Sequence, residues 1–182
     1  ALGSIAQTFT GGIILVENIA LRLLLVVWGT LFMPASHCRL WYHLILVTKE
    51  RTGWLDEVLR NELILYLCGI ARNSEATLSS AGGWTDHLHL LVQCPAKLAL
   101  ADLVRALKAN SSRWIHQRLA SHQEFAWTEG YSAFTVSHSQ VLAVKRYIAC
   151  QEQHHADHGF LEEYKRFLEA HSLEIDFGER AE

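Results

Sequence analysis

The sequence predicts an α+β sandwich in which helices cover one face of an antiparallel sheet. Three observations carry this. Short strand-like runs fall near 40–48, 75–84, 87–94 and 132–137, most of them rich in branched and aromatic residues. Longer stretches with apolar residues three and four apart lie between and after them. The resulting order, strand, helix, strand, strand, helix, strand, helix, helix, is that of a ferredoxin-like fold. Half of the 182 residues are hydrophobic, which suits one domain with a sizeable core.

Each element has its own warrant. "LWYHLILVT" (Leu40–Thr48) is apolar, aromatic and branched, hence a strand. From Leu55 to Ala71, apolar residues at Leu55, Val58, Leu59, Leu63, Tyr66, Leu67 and Ile70 follow the helical period. "EATLSSAGGW" reads as a short strand and turn, and "HLHLLVQC" as a second strand. Leu98 to Ala120 is a long helix that carries most of a basic cluster. "SAFTVS" (Ser132–Ser137) is a further strand, followed by helices over Val141–His154 and Phe160–Ala170.

The formal net charge is -3, but it is unevenly spread. Residues 152–182 hold nine acids and three bases, while residues 1–151 hold thirteen bases and ten acids. Between Lys97 and Arg118 stand five bases (Lys97, Arg105, Lys108, Arg113, Arg118) against one acid, Asp102. That is a local basic surface, read either as a phosphate-binding face or as a solvated helix face. The four cysteines (Cys38, Cys68, Cys94, Cys150) form no CxxC pair, so a zinc ribbon or redox motif has no support. They read as reduced core residues of a cytoplasmic protein.

Residues 1–32 stand apart. "GGIILVENIALRLLLVVWGTLF" is interrupted by Glu17 and Arg22, and its uninterrupted apolar run is short for a membrane span. No basic segment precedes it, which argues against a signal peptide. The expectation is a hydrophobic N-terminal extension ahead of a single domain over residues 33–182, with Met33 as the start; a membrane anchor is the alternative.

Two short patterns carry chemistry. In a strand, residues two apart project from the same face. His87 and His89 in "DHLHLLV" therefore stand side by side, able to share one divalent metal ion or simply to face solvent. Downstream, "VKRYIACQEQHH" places Tyr147 and Gln151 four residues apart, on one face of a helix. They offer a phenol nucleophile and a carbonyl oxygen able to ligate a hard cation, or else belong to an ordinary amphipathic helix. Neutral ligands of this kind suit Mg²⁺ or Mn²⁺. In the basic segment, Arg105, Lys108 and Arg113 are the candidate DNA contacts, with Ser111 and Ser112 as further phosphate partners.

Taken together, these motifs resemble the single-tyrosine HUH transposases of bacterial insertion sequences, the group that includes the REP-associated tyrosine transposases. "LKANSSRWI" (Leu107–Ile115), "FAWTEGYSAFTVSHS" (Phe125–Ser139) and "YIACQEQHH" running into "FLEEYKRFL" extend the resemblance over residues 38–176. The resemblance implies that His87 and His89 are the metal-binding pair, Gln151 the third ligand and Tyr147 the nucleophile. It implies a ferredoxin-like homodimer with no small-molecule cofactor. It also implies cleavage and rejoining of single-stranded DNA, usually at hairpin-marked ends, through a 5′-phosphotyrosine. Two other functions fit the same chain: a non-catalytic nucleic-acid-binding module, and a metal-dependent hydrolase that uses water. A domesticated enzyme acting on genomic palindromic repeats would share the transposase chemistry.

Overall fold

The computed structural model describes residues 37–151 and 160–171. The chain divides into two units, Ala1–His37 and Cys38–Glu182, and the fold below is that of the second. The expected hydrophobic extension over 1–32, its boundary at residue 33, and His154 and His155 lie outside the described residues.

Strand β1 spans Leu40–Val47, β2 Thr77–Gly83, β3 His87–Cys94 and β4 Ser132–Val136. They form one four-stranded sheet in the order β2-β3-β1-β4, with every neighbouring pair antiparallel. Helix α1 (Glu57–Asn73) connects β1 to β2, and α2 (Leu100–Arg118) connects β3 to β4. This is the ferredoxin-like arrangement. Helix α1 starts where the Asp56 carboxylate accepts from the Leu59 backbone N–H at 2.8 Å. Such a cap satisfies one of the amides a helix start leaves over.

Strand alternation divides the sheet residues between two layers. Leu44, Leu46, Leu88, Leu90, Val92 and Cys94 face α1 and α2. There they meet Leu59, Leu63, Leu67, Leu103 and Leu107 in the main core. Each fully buried leucine contributes roughly 1.5–3 kcal/mol relative to exposure. The alternate residues go to the opposite face, which is covered as well. Helix α3 (Val141–Ala149) packs Val141 and Ile148 on Leu91. Helix α4 (Phe160–Ala170) packs Phe167 and Leu168 against Ile45 and Phe134, and the Tyr164 hydroxyl meets Ser132 Oγ at 2.8 Å.

Three readings need correction. All four cysteines are free, but only Cys94 is buried, Cys38 and Cys150 being exposed. Hydropathy of sequence neighbours does not say which side of an element a thiol takes. The helix expected to run from Val141 to His154 is broken at Cys150, whose backbone (φ -96°, ψ 10°) leaves the helical region. Residues 152–154 lie outside the described residues. The Cys150 N–H is shared between the carbonyls of Arg146 and Tyr147 at 3.1 and 3.2 Å. That shared bond tightens the last turn, and helical backbone resumes at Gln151. Ser111 is fully buried and accepts from Trp127 Nε1 at 2.9 Å, so it is a core hydroxyl and no phosphate contact. Among the described residues, no helix is long and apolar enough to cross a membrane.

Candidate active site

His87 and His89 project from the face of β3 turned toward α3 and α4. Both are fully buried, with ring centroids 5.1 Å apart. A strand places them side by side, and the helices over them exclude water. The solvent-facing reading of the pair is therefore not what the fold builds.

Each histidine is held through its Nδ1. Asp86, one residue before the pair, brings Oδ1 to 2.7 Å from Nδ1 of His87. Its other oxygen, Oδ2, accepts from Arg51 Nε and Nη2 at 3.0 and 2.9 Å. Burial alone would raise the Asp86 carboxyl, but the His87 bond and charge, with Arg51, outweigh it and hold the group below its ordinary value. His87 is pushed down, chiefly by burial, against the opposing pull of Asp86. His89 Nδ1 lies 2.9 Å from Nε2 of His43 on the adjacent strand β1. His43 is held down at about 4 by burial and then by the charge of His171, so it is neutral at pH 7. In a histidine that binds metal, a hydrogen bond of this kind at one ring nitrogen fixes the tautomer that keeps the lone pair on the other.

Tyr147 on α3 approaches from above. Its ring lies 5.7 Å from that of His89, 6.0 Å from His43 and 5.4 Å from Phe167, each pair edge-to-face. The phenol oxygen is shielded from solvent, as are Nε2 of His89 and Oε1 of Gln151. Gln151 is 1% exposed and stands two residues beyond the end of α3. The described contacts thus join His87, His89 and Tyr147; for Gln151 they give burial and chain position.

Whether this set suits a metal ion depends on donor chemistry. Among the described residues, no group of three or more histidine, cysteine or carboxylate side chains is arranged to hold one. The buried amide oxygen of Gln151 is a donor of another kind that a site founded on His87 and His89 could use, and such a neutral set would leave the ion its full charge.

The candidate DNA contacts lie on α2, apart from these histidines. Arg105 pairs with Asp102 at 2.7 Å and Arg113 reaches Asn110 at 3.4 Å, both on the exposed surface. Such local pairs contribute little and exchange readily for a phosphate. Lys108 is differently engaged. Its half-buried ammonium donates to the carbonyl of Thr128 at 2.7 Å and to that of Gly130. Burial lowers its pKa. It pins the loop leading into β4. Lys108→Ala should lower stability by about 1 kcal/mol in urea unfolding, since solvent still screens the ammonium. An unchanged midpoint would show that the loop holds without it.

Two residues of this site were not singled out by sequence. His43 was hidden in an apolar strand, although it is that run's one imidazole and faces away from Leu44 and Leu46. Arg51 follows Glu50 in a turn where both residues have positive φ, 55° and 57°. That backbone is uncommon for non-glycine residues, and no local pattern announces it.

Comparison with known proteins places the chain in a family. The family model described as IS200-like transposase matches residues 36–151. The ISDra2 transposase TnpA of Deinococcus radiodurans is 29% identical over 115 residues, covering 60% of this chain and 82% of its own length. A crystal structure of a Deinococcus radiodurans R1 protein, described as a transposase, superposes with TM-score 0.51 and 28% identity, over 64% of this chain and 94% of that one. A REP-associated tyrosine transposase, solved bound to a REP hairpin, reaches only TM-score 0.49 at 9% identity, over 69% of this chain and 72% of its own. With its four-stranded sheet, its buried histidine pair and a family match over most of the described unit, this chain belongs to the IS200-like transposases, enzymes of DNA transposition.

Proposed function

We propose that this transposase cleaves and rejoins single-stranded DNA through a covalent bond to Tyr147, with a divalent ion, Mg²⁺ or Mn²⁺, held by His87, His89 and Gln151. The observation that carries the reading is the buried pair of imidazoles, each fixed at Nδ1, with the Tyr147 ring packed 5.7 Å from one of them. A buried phenol beside a metal-ligand pair is the arrangement an activated oxygen nucleophile requires. A bound divalent ion would supply Lewis-acid stabilisation of charge on the scissile phosphate.

The remaining chemistry belongs to the chain. Tyr147 Oη loses its proton and forms a bond to phosphorus. The bond from phosphorus to the 3′ oxygen breaks, and that oxygen takes up a proton as a free 3′-hydroxyl. The product is a 5′-phosphotyrosine that keeps the phosphodiester bond energy, so a second 3′-hydroxyl can reverse the step on a new strand without ATP. Helices α3 and α4 exclude water that would otherwise compete for the intermediate. Arg105 and Arg113 would hold the DNA backbone. Lys108, already bonded to two carbonyls, would join them only by exchanging those partners. Hairpin-forming ends and a homodimer complete the proposed assembly.

The test is covalent trapping. The full chain is incubated with Mn²⁺ or Mg²⁺ and labelled single-stranded DNA from the flanks of its gene, beside His87→Ala and an EDTA control. The expected result is a labelled adduct mapped to Tyr147 by mass spectrometry and lost in both controls. Cleavage without an adduct would replace this mechanism with hydrolysis by water. Binding of both flanks without cleavage would make the chain a non-catalytic binding module.

A further inference from the structure

We infer that His43 is a positioning residue. By accepting a hydrogen bond from Nδ1 of His89, it fixes that imidazole in one tautomer and aims Nε2 at the metal site. The inference rests on the proposed role of His89 as a ligand and goes beyond it, since His43 is not itself one of the proposed ligands.

The argument starts from proton counting. The 2.9 Å contact between His43 Nε2 and His89 Nδ1 holds a single proton. If His43 donates it, a neutral His89 carries its own proton on Nε2 and cannot ligate there. If His89 donates it, the Nε2 lone pair is exposed for coordination. Only the second arrangement is compatible with a site at Nε2, and it makes His43 the acceptor. His87 receives the same service from Asp86 at 2.7 Å. The two ligands are thus held alike, one by a carboxylate and one by a neutral ring.

His43 is itself held in place. It is 2% exposed, with Phe167 edge-on at 5.0 Å, Tyr147 edge-on at 6.0 Å and Phe134 at 6.4 Å. Turning the ring would displace aromatic side chains of α3, α4 and β4. The residue that orients His89 therefore also packs against Tyr147, and one rigid unit sets the relation between ligand and nucleophile. Strand pairing produces this. His89 lies opposite Ile45, so His43 is its diagonal neighbour on the same face of β1, within reach for a ring.

The experiment uses the full chain without DNA and compares wild type with His43→Phe, His43→Gln and His87→Ala. Phenylalanine keeps a ring of similar size but no acceptor. Glutamine returns an oxygen near the position of Nε2. Mn²⁺ affinity is read by electron paramagnetic resonance, and the His89 tautomer by imidazole ¹⁵N shifts in the metal-free protein. Melting curves check that each variant folds. Expected are a wild-type His89 protonated at Nδ1, Mn²⁺ binding weakened about 10–100-fold in His43→Phe, and recovery to within about threefold of wild type in His43→Gln.

An Nε2-protonated His89 in wild type, unchanged Mn²⁺ affinity in His43→Phe, or equal losses in both variants would overturn the inference. If wild type binds Mn²⁺ no better than His87→Ala, it is the metal reading of the histidine pair that fails. The tautomer then decides the role of His43 alone: Nδ1 protonation kept in wild type and lost in His43→Phe supports it, and any other pattern ends it. Should His43→Phe not fold, the wild-type tautomer and His43→Gln still decide.

Discussion

Tyr147→Phe is expected to leave a folded, DNA-binding protein whose strand cleavage falls by more than about a thousandfold, the scale of losing a nucleophile. The substitution removes one oxygen and keeps the ring. The contacts of that ring with His43, His89 and Phe167 survive, so stability should stay within about 1 kcal/mol of wild type. Separating the two readouts is the point. Gel-shift affinity for single-stranded flanks and the urea midpoint should barely move while cleavage and adduct disappear together. Cleavage surviving at even a tenth of the wild-type rate would assign the nucleophile elsewhere.

Gly82→Ala should slow cleavage substantially, though less than loss of the nucleophile, without touching any reacting group. Gly82 lies on β2 opposite His89. A Cβ built there would stand 2.5 Å from the backbone carbonyl of Ile148 and 3.2 Å from its Cγ2. Ile148 follows Tyr147 directly on α3. A carbonyl fixed in a helix cannot swing away as a side-chain tip can, so the helix or the edge strand must move. Overpacking of this kind costs about 1–3 kcal/mol. A shift near 1 Å at a nucleophile costs about a hundredfold in rate. The expected result is a stable variant that binds DNA and Mn²⁺ but cleaves about a hundredfold more slowly. Wild-type cleavage by Gly82→Ala would show that α3 rides higher over the sheet than this packing.

The strands, the helices and their order along the chain were legible because alternation and helical periodicity are local properties. "HLHLLVQC" coincides with β3, His87–Cys94, and "FLEEYKRFL" falls within α4. The histidine pair was legible for the same reason, since a spacing of two in a strand fixes a shared face. The break at Cys150 was not, because it is a change of backbone angles that no side-chain pattern records. The distant residues around the pair, His43 and Arg51, were hidden for another reason. His43 lies 46 residues before His89 and Arg51 lies 35 before Asp86, and nothing in either segment names the other.

What the sequence determined by itself was the order of elements, the HxH face, the Tyr147 and Gln151 spacing, and the resemblance that named the family. What only the tertiary structure decided was the covering of the second sheet face by α3 and α4. That covering turns two surface-competent histidines into buried ones and brings Tyr147 over them, while strand pairing sets His43 beside His89. The physical reason is that periodicity says which face of an element is apolar, whereas the choice of partner for that face depends on packing all the elements at once.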